Sequence, residues 1–384
     1  MKMEKYEELI SFIRSSFNES DAFIPLHEPR FIGNERKYIL DAIDSTFVSS
    51  VGQYVNRFEE LMCELTGAKY AIATVNGTAA LHTCLILAGV QSGDEVITQS
   101  LSFIATANAI SYCGASPIFI DVDIKTMGLS PESLKLFLEK NAVLREGQAY
   151  NQISGKRIGA VVPMHTFGHP VRIDEIVQVC DQYNIAVVED AAESLGSYYK
   201  ERHTGIFGKL GAFSFNGNKT VTCGGGGAIV TNDPLLATRA KHITTTAKVP
   251  HPWEYTHDEI GYNYRMPNLN AAMACAQLEK LYDFVIKKRV LASEYISFGS
   301  KNDIKFVEEP KDAKSNYWLN AICTTDRNER DLVLSELNEN GVMCRPIWTL
   351  LHKMPMFSES YKDEQLNAQW LEDRIVNVPS SVIF

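Results

Sequence analysis

FSFNGNKTVTCGGGG, residues 213–227, carries a single lysine, Lys219, five residues after Ser214 and just ahead of four consecutive glycines. A lysine on such a turn is placed as an anchor, not as a solvated surface charge. Twenty-nine residues upstream, VVEDAAESLG (187–196) brings an apolar strand up to Glu189, Asp190 and Glu193. Working outward, YAIATVNGTAALHTCLILAGV (70–90) reads as a strand to Val75, a turn at Asn76, Gly77 and Thr78, and an apolar helix from Ala79. Further strands lie at 95–98, 117–121, 158–163, 185–189, 212–215 and 227–230, mostly separated by helical stretches. Strand and helix in alternation predict an α/β domain built on a mostly parallel sheet, with ligand groups gathered at the carboxyl ends of its strands.

The residue types fit one chemistry. A lysine amine that condenses with an aldehyde must be partly deprotonated near neutral pH, which burial or neighbouring positive charge achieves. A carboxylate facing a pyridine nitrogen keeps that nitrogen protonated, so that the ring accepts the electrons released when a Cα proton leaves. Asp190 is the candidate for that carboxylate. The turn at Gly77 and Thr78 points free backbone amides and the positive end of a helix at an anion such as a phosphate. Ser214 offers a second hydroxyl, and Phe103, in SLSFIATANAI, is placed to lie over a flat ring. His165, in PMHTFGHP, reads better as a core hydrogen-bonding residue than as a ligand. Together these features describe a pyridoxal phosphate site.

FIGNE, SSVGQYVNRFE, VNGTAALH, SFIATANAI, VVPMHTFGHP, VVEDAAESLGS, the Lys219 tract and GYNYRMPNLNAAMACAQLE occur in an order that resembles the DegT/DnrJ/StrS-type sugar aminotransferases over nearly the whole chain. The resemblance implies a fold-type I pyridoxal phosphate enzyme, aspartate aminotransferase-like, with a large domain and a small C-terminal α+β domain. It implies Lys219 as the internal aldimine and proton carrier, Asp190 as the partner of the pyridine nitrogen, and Glu193 near the phenolic oxygen. Phe103 would stack, and Gly77, Thr78 and Ser214 would hold the phosphate. Asn263 would reach the phosphate of the neighbouring subunit, which makes a homodimer with active sites at its interface the minimal unit. Gly225 stands where many relatives carry an acid.

The tracts HEPRFIGNE, TTTAKVPHPWEY and RPIWTLLHKMP look most like a subgroup that aminates C4 of UDP-4-keto-6-deoxy-N-acetylhexosamines, on the way to legionaminic acid or bacillosamine. They nominate Arg30, Lys248, His251, Arg265, Arg345, Trp348 and His352 as substrate-binding residues, arginine because its planar fork suits a diphosphate. The implied reaction moves an amino group from L-glutamate, through pyridoxamine phosphate, to UDP-4-keto-6-deoxy-N-acetylglucosamine. The alternatives are GDP-4-keto-6-deoxymannose, as in perosamine synthesis, or a 3-keto sugar. A relative that dehydrates at C3 replaces the anchoring lysine with histidine, and Lys219 argues against it. A cofactor-binding regulator without catalysis is the reading from another class.

Composition sets limits on partners. With 37 basic and 47 acidic side chains the formal net charge is −10, which argues against non-specific nucleic-acid binding. The eight cysteines (63, 84, 113, 180, 223, 275, 323 and 344) show no metal-ligand spacing and read as reduced thiols of a cytoplasmic protein. The nine histidines form no zinc pattern, so no protein-bound metal is expected. No apolar run reaches the ~18 residues that cross a bilayer.

Three units are expected: an N-terminal helical arm at 1–24, with Leu9, Ile10, Ile13 and Phe17 as its buried stripe, a cofactor domain at 25–255, and a linker helix with the small domain at 256–384. PNLNAAMACAQLEKLYDFVIKKRVLASEYI reads as one long helix begun at a proline. IKFVE, YWLNAICTT and VMCRPIW read as the strands of the small domain and RDLVLSELNENG as its helix, with 139–156 as a surface loop insertion.

Overall fold

The computed structural model describes residues 4–384. Its centre is a seven-stranded sheet built from β1 (Tyr70–Thr74), β2 (Glu95–Gln99), β3 (Ser116–Ile120), β4 (Ile158–Val162), β5 (Ala186–Asp190), β6 (Leu210–Ser214) and β7 (Gly227–Thr231), in the order β1-β7-β6-β5-β4-β2-β3. Only β7 runs against its neighbours. This is the mostly parallel sheet of the aspartate aminotransferase-like fold that the sequence predicts.

Alternate residues of each strand enter opposite cores. Val162 and Val188 pack with Leu81, Leu85 and Ile243, whereas Val161 and Val187 pack with Leu134, Leu138 and Ile176. Both faces are therefore covered, which is why these strands read as continuous apolar runs. At the other end of the sheet, Ala73, Phe213, Ala228 and Val230 face Phe58, Met62 and Leu278.

A second sheet of three antiparallel strands, β8 (Asn320–Cys323), β9 (Arg345–Pro346) and β10 (Ile375–Val378), has β10 in the middle. The N-terminal helix Glu4–Ser16 buries Leu9, Ile10 and Ile13 in the core behind this sheet, against Leu291, Tyr295, Val333 and Leu337.

Four details differ from the sequence reading. Residues 142–151 are a β-hairpin, Ala142–Arg145 paired with Gln148–Asn151, and not a loop. Its two-residue turn places Glu146 and Gly147 at positive φ, the geometry that matches strand twist. Asn151 then fastens the hairpin to Glu95 on β2. The long helix is two helices, Asn268–Leu278 and Leu281–Asn302, broken at Glu279–Lys280 without proline or glycine. The first packs on helices Glu35–Asp44 and Gln53–Thr66, while the second reaches into the small-sheet core, and Glu279 is held by Asn34 and Tyr38 between them. IKFVE supplies one bridge, Phe306 to Ile322, in place of a strand. The central small-sheet strand is instead Ile375–Val378, too short for its alternation to register in the sequence.

Candidate active site

The carboxyl ends of β5 and β6 and the helix that follows β1 converge on one cavity of about 340 Å³, lined by Gly77, Thr78, Phe103, Asp190, Glu193, Ser214, Lys219, Trp318 and Trp348 among others. The lining groups arrive on several different elements. The helix Gly77–Leu87 begins beside β6 because Asn76 caps it, accepting the amide of Ala79 at 2.8 Å. No acidic residue sits in its first turn, so the positive helix end stays uncompensated. A methyl group at Gly77 would stand 2.7 Å from Cβ of Ser214. The backbone there must be bare for helix start and strand end to meet.

Asp190 is buried at the end of β5. Its Oδ2 accepts a hydrogen bond from Thr106 Oγ1 at 2.7 Å and its Oδ1 accepts the amide of Ala192 at 3.2 Å. Burial pushes the carboxyl above its ordinary range, while Thr106, Ala192 and the Lys219 charge pull it back. A carboxylate in that condition is stabilised by a cation placed against it.

Glu193 follows three residues later, on the turn after β5. Its Oε2 accepts the amide of Phe167 at 2.9 Å, and Oε1 lies 3.3 Å from Lys219 Nζ. Desolvation raises this carboxyl to about 7, against the opposing pull of Lys219. Lys219 itself sits on the turn after β6, its amine 4.0 Å from the ring centroid of Trp318. Phe103, the residue before helix Ile104–Tyr112, is half exposed in the cavity and 6.4 Å from Trp348 by ring centroids.

The neighbouring carboxylate has another task. Glu189 accepts the amides of Gly205, Phe207 and Gly208, and His165 donates to it through Nε2 at 3.0 Å. His165 Nδ1 accepts the amide of Val171, which fixes the tautomer. Both belong to the buried framework.

The nominated substrate residues separate. Trp348 lines the cavity. Arg30 donates to the carbonyl of Val382 and pairs with Glu28. Lys248 lies over Tyr255, and His251 caps the amide of Glu254, both on the 246–261 loop. Arg265 lines a second cleft with Ser45, Ser50 and Thr244, its Nε buried without a partner. Arg345 is exposed on β9, and His352 binds Ser100 through Nδ1 at 2.8 Å. Asn263 is exposed and lies outside the cavity of its own chain.

The sequence reading passed over Thr106, Asn316 and Trp318. Asn316 donates to the carbonyls of Glu193 and Leu195, each at 2.9 Å, and Trp318 donates through Nε1 to the carbonyl of Asn218 at 2.7 Å. Nothing local marks Asn316 or Trp318, which come from the segment that enters the small sheet. Thr106 stands one helical turn after Phe103, the only sequence signal it carries. Burial raises the Cys223 thiol to about 12, which makes it unreactive. Among the described residues, one group of potential metal ligands, His242, Asp258 and Glu259, lies outside this cavity, and Arg239 pairs with Glu259 there.

A mostly parallel sheet with a lysine amine, a buried carboxylate and a bare helix start around one cavity has the parts that a lysine-dependent pyridoxal phosphate enzyme requires. The residues fit the group: amides and hydroxyls for a phosphate, Asp190 for a ring nitrogen, Phe103 for a ring face, Lys219 for the aldehyde. The chain belongs to the DegT/DnrJ/EryC1/StrS aminotransferase family, whose model matches residues 30–383. It is therefore a pyridoxal phosphate-dependent sugar aminotransferase.

It is 38% identical over 361 residues, 93% of each chain, to a GDP-perosamine synthase of Escherichia coli O157:H7. It is 38% identical to a pyridoxal phosphate-dependent aminotransferase, EpsN, of Bacillus subtilis, over 87% of this chain and 84% of that one. The solved structure of the aminotransferase TlmJ from Streptoalloteichus hindustanus superposes with a TM-score of 0.84 at 26% identity, covering 94% of both chains. Among the described residues no helix is long and apolar enough to cross a membrane.

Proposed function

We propose that this enzyme transfers an amino group from L-glutamate to C4 of a nucleotide-linked 4-keto-6-deoxyhexose. The observation that carries it is the placement of Lys219, Glu193 and Asp190 in a single cavity headed by an uncompensated helix end. When bound, the cofactor supplies an electron sink for the carbanion left at the donor's Cα. The chain's own residues do the rest. Asp190, held by Thr106 and Ala192, keeps a proton on the ring nitrogen. With the cofactor bound, the Lys219 amine would be the group placed to carry a proton between the donor carbon and the cofactor. Glu193 keeps the amine oriented at 3.3 Å. Gly77, Thr78 and Ser214 fix the phosphate end.

The likeness to GDP-perosamine synthase supports GDP-4-keto-6-deoxymannose as the acceptor, since amination of its C4 ketone yields GDP-perosamine. The tracts around His27, Lys248 and Arg345 support UDP-4-keto-6-deoxy-N-acetylglucosamine as the second reading. Trp348 at the cavity wall suits the apolar face of either 6-deoxy sugar.

The active unit in this proposal is a homodimer. Trp253, Tyr255 and Ile260 are strongly exposed on the loop that leads to Asn263, and exposed apolar groups of this size mark an association surface. Asn263 and Arg265 then serve the partner's site. The test is amination of both keto sugars with L-glutamate, read by product mass. A C4-amino product from the GDP sugar supports the first assignment, one from the UDP sugar alone the second, and none from either refutes the acceptor class.

A further inference from the structure

Behind Lys219 lies a fully buried lysine with no ion-pair partner among the described residues. Lys288, on helix Leu281–Asn302, donates through Nζ to the carbonyl of Trp318 at 3.1 Å and to the carbonyl of Ser380. Burial brings its ammonium down to about 7, and the amine donates to these carbonyls in either protonation state. The residue it grips is the one whose indole faces the Lys219 amine at 4.0 Å. The same indole donates to the carbonyl of Asn218, the residue before Lys219, at 2.7 Å. Two residues back, Asn316 accepts the Trp318 amide at 2.8 Å and donates to the carbonyls of Glu193 and Leu195. One short segment thus holds the turn of Lys219, the loop of Glu193 and the helix of Lys288.

We propose that Trp318 is a positioning residue for the Lys219 amine, fixing it between the indole face and the Glu193 carboxylate, with Lys288 as the buried post that holds Trp318 in place. The inference rests on Lys219 being the cofactor anchor. A freed lysine amine swings on four rotatable bonds, and each turnover requires it to return to the same carbon. The indole supplies one wall of its path and Glu193 the other, so the amine is confined before any substrate arrives. The indole hydrogen bond to Asn218 sets where the turn itself stands. The indole face narrows the space the amine can sample, so losing it should slow capture of the cofactor aldehyde about tenfold through misplacement of the amine.

The test compares cofactor-free W318F, W318A and K288M with the parent enzyme. The first readout is the rate at which the absorbance of the lysine-bound cofactor develops. The second is the affinity for pyridoxamine phosphate, which forms no bond to lysine, measured by calorimetry. The expected result is capture slowed about tenfold in W318A and less in W318F, which keeps a ring wall beside the amine, with K288M between the parent and W318A. Affinity for pyridoxamine phosphate should stay within about threefold of the parent, because the phosphate and ring-nitrogen groups are untouched. Equal losses in both readouts would show a general lesion of the fold and overturn the inference. Parent-like capture in W318A and K288M would overturn it as well, while the anchor assignment would stand. If the parent forms no lysine-bound cofactor, the anchor assignment fails and the inference falls with it.

Discussion

Thr106 is the residue through which the account of Asp190 can be pressed hardest. Its hydroxyl is fully buried and donates to Asp190 Oδ2 at 2.7 Å, and its own oxygen is oriented by Ser102 at 2.9 Å. Thr106→Val keeps the shape and removes the donor, leaving a buried carboxylate oxygen without a partner. A hydrogen bond to a charged group is worth ~1.5–3 kcal/mol, so the carboxylate form of Asp190 should be disfavoured by that amount. At 1.4 kcal/mol per tenfold, the half-reaction with glutamate should fall roughly 10- to 150-fold in kcat/KM.

The sign in pH follows from the same bond. Burial already pushes Asp190 upward and Thr106 opposes it, so the variant should need a higher pH to ionise the carboxylate. The acid limb of kcat/KM for single-turnover conversion with glutamate should therefore move to higher pH in T106V. A loss under threefold, with the acid limb unmoved, would refute the idea that Asp190 works as a hydrogen-bonded carboxylate.

Other outcomes follow from single contacts. Asp190→Asn should keep bound cofactor yet lose most turnover, and undiminished turnover would exclude Asp190 as the nitrogen partner. Gly77→Ala brings a methyl group to 2.7 Å from Ser214 Cβ, so cofactor affinity should fall while the melting temperature drops by the equivalent of ~1–3 kcal/mol, measured on cofactor-free protein. Glu193 has a native carboxyl raised to about 7, above its ordinary value near 4.5. The folded state therefore binds more protons than the unfolded one in that window, and this contribution to stability is lost as pH rises through it. Glu193→Gln should remove up to about 3 kcal/mol of that decline in the cofactor-free enzyme, and parallel curves for both proteins would contradict it. Ile13→Ala, in the core of the N-terminal helix, should cost ~2–5 kcal/mol by denaturant titration while leaving kcat near the parent value.

The large sheet was legible because its strands are buried on both faces and end at turns rich in glycine, asparagine or acid. Lys219, Asp190, Glu193, Gly77, Thr78, Ser214 and Phe103 each end or follow such a strand, and local order along the chain was enough to bring them to one end of the sheet. What the sequence hid was held at long range. Trp318 reaches the cavity, and Asn316 braces Glu193 beside it, only because the segment that enters the small sheet docks against the 193–197 loop. The helix break at Glu279 serves two separate cores, a demand that no helix propensity records. The hairpin at 142–151 rests on a Glu-Gly turn and one buried asparagine, inside a stretch polar enough to pass for a loop. Lys248, His251 and Asn263 sit outside the cavity of their own chain, and in the proposed homodimer their task would depend on a second copy, of which periodicity within one chain carries no signal.

The most direct test of the central claim is borohydride reduction of the purified enzyme with pyridoxal phosphate, followed by peptide mass mapping, with and without prior exposure to L-glutamate. The account predicts the cofactor fixed to Lys219 alone, and loss of that label when glutamate comes first. Label on another lysine, Lys288 or Lys248 for instance, or label at Lys219 that glutamate leaves intact, would contradict it.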